Sequence, residues 1–115
     1  MPDATPAKLA IDYVEFSSPD VAATTAFFTN AFGWNFVDYG PDYQALDGAG
    51  LDGGVARASL APPLVILKTD DLEAALARVK AAGGVVTADI FDFPGGRRFQ
   101  FREPGGTELA VWSAT

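Results

Sequence analysis

AIDYVEFSSPDVAATTAFFTNAFG, residues 10–33, and LVILKTDDLEAALARVKAAGG, residues 64–84, decide the fold. Each opens on an apolar strand, crosses a polar break and enters a segment of helical spacing that stops at glycine. Ala10–Phe16 reads as a strand, with Tyr13 and Glu15 on one face and Val14 and Phe16 on the other. Ser18 is the expected N-cap, Pro19 the first helical residue and Asp20 an acid at the positive end of the dipole. Val21, Thr25, Phe28 and Phe32 predict a buried stripe, and Gly33 the left-handed stop. In the second stretch, Leu64–Lys68 reads as a strand, and Asp70 with Glu73 as a capping-box-like pair. Leu72, Ala75, Leu76, Val79 and Ala82 form its stripe, ended by Gly83-Gly84.

Three short strands follow each helix. After the first they are Trp34–Tyr39, Tyr43–Leu46 and Gly53–Ala58, with turn signals at Gly40-Pro41-Asp42 and across Gly48–Gly54. The glycine-rich stretch has no Gly-Lys-Ser/Thr and opens no helix, so it reads as a turn and not a phosphate loop. Leu60–Pro63 reads as a linker. After the second helix come Val85–Asp89, Arg97–Arg102 and Glu108–Trp112, with Phe91–Gly96 read as a turn-rich loop and Pro104-Gly105-Gly106 as a turn. Shifted by 51 residues, Tyr13 falls on Leu64, Asp20 on Asp71 and Gly33 on Gly84. The chain is thus an internal repeat, strand–helix–three strands twice over. The expected fold class is α+β: one domain of two βαβββ modules, about 8–60 and 61–115, forming a curved mixed sheet. Helices are expected on its outer face and an open concave cleft on the other.

Composition narrows the chemistry. The 115 residues include 8 Lys plus Arg and 15 Asp plus Glu, for a net charge of −7, with no Cys and no His. That excludes disulfides, thiolate nucleophiles, Cys-ligated metals, the Ser-His-Asp triad and the two-His facial triad. The acidic balance argues against nucleic acid and anionic membranes as partners. No apolar run is long enough for a bilayer, and Met1–Lys8 has no signal-like apolar core, so a cytoplasmic location is expected.

Val14–Asp20 before an aromatic-rich helix, Ala26-Phe27-Phe28 through Ala31-Phe32-Gly33-Trp34, Thr69–Leu72 with Ala81–Gly84, and Phe101–Leu109 occur in an order that resembles the glyoxalase/bleomycin-resistance/dioxygenase (vicinal oxygen chelate) superfamily. The resemblance covers nearly the whole chain. It implies a divalent metal on the concave face, acting as a Lewis acid on vicinal substrate oxygens. The implied ligand positions fall on Tyr13, on Leu64, around Gly53–Val55 and on Glu108. Leu64 cannot ligate, and Gly53–Val55 offers no side-chain donor, so the expectation is a member without the His-containing metal site and without a cofactor.

Candidate ligand-binding residues are Tyr13, Glu15, Lys68, Arg98, Gln100, Glu108 and Trp112. Tyr13, Glu15 and Glu108 share inward faces if both strands line the cleft, where two buried carboxylates would form an acid/base pair. Arg98, Gln100 and Arg102 alternate onto one face of their strand and, with Lys68, suit an anionic group, whereas the net charge suits a cationic one. Phe91-Asp92-Phe93-Pro94, apolar where a loop is usually polar, is the candidate contact loop. Three readings follow. The first is a homodimer that holds a small organic molecule, as drug-sequestering resistance proteins do. The second is a metal- or carboxylate-dependent lyase, isomerase or dioxygenase. The third is an interaction module.

Overall fold

A computed structural model of the chain describes residues 8–115. The reading of the N-terminal stretch lies outside them, apart from Lys8. The chain forms two compact units. One is Asp12–Leu64; the other joins residues 8–11 to Val65–Thr115. The elements run β1 (Ala10–Ser18), α1 (Val21–Phe32), β2 (Asn35–Asp38), β3 (Tyr43–Asp47), β4 (Asp52–Arg57), β5 (Ala61–Lys68), α2 (Leu72–Ala81), β6 (Val85–Phe93), β7 (Gly96–Arg102) and β8 (Glu108–Ser113). This is α+β architecture, with the strand–helix–three-strand order repeated as the sequence predicts.

In the first unit the strands lie in the order β2-β3-β4-β1. β1 and β4 are parallel; the other pairs are antiparallel. Helix α1 packs through Phe28 onto Phe16 of β1 and Phe36 of β2, at ring separations of 5.3 and 6.4 Å. Val21, Leu46 and Val55 are buried. The expected stripe weakens towards the helix end, where Phe32 is 55% exposed, stacks on Phe28 and meets Trp34 at a tilt.

Asp20, not Ser18, caps α1. Its carboxylate accepts from the Ala23 N–H at 3.1 Å. β1 runs on through Ser18, so that hydroxyl is still in the strand; it accepts from the Asp20 N–H and hydrogen-bonds Thr24 Oγ1. Gly33 takes φ 75° and closes the helix on Thr29.

In the second unit the order is β5-β8-β7-β6, with β5 and β8 parallel and the rest antiparallel. Leu72 and Ala75 of α2 pack with Phe99, Phe101 and Val111 to form the core, flanked by Leu9, Leu67, Leu76, Val79, Ile90 and Leu109. Three expectations are corrected here. Asp71, not Asp70, caps α2, and Glu73 pairs with Arg97 instead of completing a capping box. β5 begins at Ala61, so the presumed linker is strand; prolines are tolerated at the start of a strand, where no ladder donor is needed. Phe91–Phe93 is strand rather than loop, because Phe91, Asp92 and Phe93 pair with Arg98, Arg97 and Gly96 across a tight turn at Pro94-Gly95.

Candidate functional site

Alternation places Arg98, Gln100 and Arg102 on the face of β7 away from α2, while Phe99 and Phe101 go into the core. Register extends this face across the unit. Arg98 lies opposite Trp112, Gln100 opposite Ala110 and Arg102 opposite Glu108. On the far side of β8, Lys68 lies beside Trp112 and Ile66 beside Ala110. On the far side of β7, Phe91 lies beside Arg98 and Ala88 beside Gln100.

The result is one cross-strand row in which cations and rings alternate: Lys68, Trp112, Arg98, Phe91. The Lys68 ammonium lies 4.9 Å from the Trp112 ring centroid and the Arg98 guanidinium 5.3 Å from that of Phe91. Both are cation–π distances. Arg98 Nη2 also donates to Gln100 Oε1 at 2.9 Å, and Phe93 meets Trp112 edge-on at 6.0 Å. The next row, Ile66-Ala110-Gln100-Ala88, is apolar except for Gln100, and Ile66 and Ala110 are buried.

The opposite face carries a different charge arrangement. Arg97 points to the helix side and donates to both carboxylate oxygens of Glu73, at 2.5 and 3.1 Å. The Arg97 hydrogen bond holds the Glu73 carboxyl below its ordinary range, and Glu73 raises the guanidinium in turn. Asp92 is in register with Arg97 and adds to that rise.

Glu108 lies two rows from Lys68 and Arg98 and accepts from Thr87 Oγ1 at 2.8 Å. Tyr13 and Glu15 belong to the first unit, Glu108 to the second. Glu15 and Glu108 are half-buried, not buried as the acid/base expectation supposed. On the helix-free face of β1, the Tyr13 hydroxyl is hydrogen-bonded to that of Tyr43. Tyr43 reaches it by lying over Gly54, where a Cβ would collide with the phenol. Tyr43 and Gly54 stand outside the candidate ligand-binding set, Tyr43 being one of several aromatics that could line the cleft and Gly54 part of a stretch without a donor side chain. The available signal was a glycine inside a strand, which often marks a close approach.

The four implied metal positions do not fit a divalent ion. Leu64 and the Gly53–Val55 stretch supply no donor side chain, the Tyr13 hydroxyl is engaged by Tyr43, and Glu108 is held by Thr87. Among the described residues, no three His, Cys, Asp or Glu side chains cluster closely enough to hold a metal ion. No helix among them is long and apolar enough to cross a membrane.

Comparison with known proteins agrees with this architecture. The chain is 33% identical to the anthracycline biosynthesis protein DnrV of Streptomyces peucetius, over 87% of this chain and 45% of that one. It is 26% identical to the putative glyoxylase CFP32 of Mycobacterium bovis, over 90% of this chain and 45% of that one. The chain thus spans just under half the length of these relatives. Among solved structures, the Mn(II)-bound glyoxalase from Novosphingobium aromaticivorans superposes with a TM-score of 0.74 at 25% identity, over 94% of this chain and 40% of that one. A family profile matches residues 10–111, and the chain belongs to the Glyoxalase/Bleomycin resistance protein/Dioxygenase superfamily.

Proposed function

We propose that the chain binds a small organic molecule through side chains alone, without a resident metal. The observation that carries this reading is the donor set. The positions where the superfamily resemblance implies ligands hold Leu64, Gly53–Val55 and a tyrosine committed to another tyrosine. The helix-free face of the second unit, meanwhile, presents Lys68, Trp112, Arg98 and Gln100 together. The name of the Streptomyces relative ties that protein to anthracycline biosynthesis, which supports a small organic molecule as the ligand class. A homodimer is part of the proposal. Two copies would supply about the length that one relative carries, since 45% of each relative is matched.

The competing reading is a metal- or carboxylate-dependent enzyme, which the likeness to a Mn(II)-bound glyoxalase favours. Metal analysis of protein purified without chelator separates the two, with melting curves in EDTA and in added Ni²⁺, Mn²⁺, Fe²⁺ and Zn²⁺. The expected result is far less than one ion per chain and no shift in Tm. Stoichiometric metal with stability lost in EDTA overturns the proposal. A ligand that binds only the folded state raises Tm, so a small-molecule melting screen is the positive arm. Light scattering on the eluting protein decides the dimer.

A further inference from the structure

We infer that the outer face of α1, centred on Phe27 and Phe32, is where a second copy of this chain docks. The inference rests on the homodimer reading above and names the surface that builds it.

The internal repeat supplies the comparison. Shifted by 51 residues, Asp20 falls on Asp71, and both are helix caps. The three charged residues of α2, Glu73, Arg78 and Lys80, then fall opposite Ala22, Phe27 and Thr29 of α1. α2 thus has the charged outer side usual for a helix that faces water. α1 has none, and residues 21–37 are the longest uncharged stretch of the chain. Phe27 is 59% exposed and Phe32 55%. Phe27 meets Phe32 edge-on at 5.7 Å and Phe28 at 6.2 Å, and Phe28 is itself anchored on Phe16 and Phe36. Two exposed rings on a fixed aromatic base suit the centre of an interface, where aromatics are enriched and little side-chain freedom is left to lose.

Charge selects the occupant. Two copies of a chain of net charge −7 repel wherever charged surfaces meet, so they come together with least repulsion on an uncharged face. A basic foreign partner would gain from the acidic surface instead and has no use for a neutral helix. Two copies also make up about the length of the matched relatives. At roughly 200 Å² for a phenylalanine, the two rings leave about 230 Å² open, the centre of the roughly 800 Å² that each side of a standard interface covers. Exposed Ala23, Thr29, Asn30 and Ala31 continue the surface without charge. A twofold pairing sets a surface against its own copy, which rings and methyl groups tolerate and like charges do not.

The test is sedimentation equilibrium of the full chain from about 1 μM to 1 mM. Phe27→Arg gives α1 the residue that α2 carries at the equivalent position, and it makes the net charge less negative, so overall repulsion cannot explain a loss. Ala31→Arg, one turn further on the same face, keeps both rings and suits the negative end of the helix dipole, so the fold stays intact. Each should raise Kd for the dimer at least about tenfold. Leu60→Arg makes the same kind of change at a residue 83% exposed outside α1, and should stay within about twofold of the parent. A dimer that survives both α1 variants overturns the inference and leaves the homodimer standing on another face. Equal weakening by Leu60→Arg overturns it too. A parent chain that is monomeric throughout the range removes the homodimer and the inference together.

Discussion

Gly53 and Gly54 are adjacent in β4 but guard opposite faces, and alanine at each meets a different obstacle. At Gly53 a Cβ would run into the Val14 carbonyl oxygen, which belongs to the backbone of the neighbouring strand and cannot step aside. At Gly54 it would run into the Tyr43 phenol, the far end of a side chain. Tyr43 can swing off, at the loss of its bond to Tyr13 and of some packing, so Gly54→Ala should cost about 1–2 kcal/mol. Gly53→Ala should cost more, about 3 kcal/mol, because the parallel ladder itself must move. Urea melts of the two variants check this order; a larger loss for Gly54→Ala contradicts it. In the Gly54→Ala background, Tyr43→Ala should lose less than the two single losses added, since the collision is gone. The same residues show what composition hides: two glycines in a strand look like weakness, yet one makes room for a side chain that crosses the sheet face.

Element boundaries were readable where one residue type carried the signal and blurred where two competed. Both helices start within a few residues of the expected place, but each cap is the aspartate next to the helix. Asp20 and Asp71 can both accept from the N–H three residues on, and an ionised acceptor at the helix N-terminus also meets the dipole. Ser18 and Thr69 instead accept from the aspartate N–H two residues on, a brace repeated in both modules. Asp71→Ala should therefore cost about 1 kcal/mol, while Asp70→Ala stays within about 0.5 kcal/mol. Equal losses would restore the capping-box reading. Pro62-Pro63 and Pro94-Gly95-Gly96 have loop composition, so the sequence predicts shorter β5 and β6 strands than the structure holds. In β6 the pairing of Phe91 with Arg98 carries the strand right up to the turn. A β6 that stops at Asp89 also leaves the cross-strand row incomplete. Arg98, Gln100 and Lys68 were legible as one polar face by alternation, but Phe91 joins them only once β6 reaches that far.

At the scale of the whole molecule, charge makes a pH prediction with a definite sign. Among the described residues, three carboxyls are held below their ordinary range by hydrogen bonds. Asp38 is held down by the Gly40 N–H and the Gln44 amide, Glu73 by Arg97, and Glu103 by the Thr107 and Gly105 N–H groups. Each then binds its proton more weakly folded than unfolded. Stability from these groups is complete above their ordinary values, 4.5 for the glutamates and 3.8 for Asp38, and drains away as pH falls through the lowered ones. Self-repulsion works the other way. The net charge of −7 at neutrality shrinks to nothing near pH 4.2, which should favour the compact state over that interval. A urea midpoint that falls as pH drops from about 5 towards 4.2, where repulsion is still shrinking, is therefore the signature of these bonds; below 4.2 the chain turns cationic and repulsion adds to the loss. With no histidine in the chain, the midpoint should stay flat from about pH 6 to 8. Converting Glu73 and Glu103 to Gln and Asp38 to Asn together should lower the midpoint at pH 7 and flatten the acid limb. An acid limb as steep as the parent's would move the cause to other carboxylates.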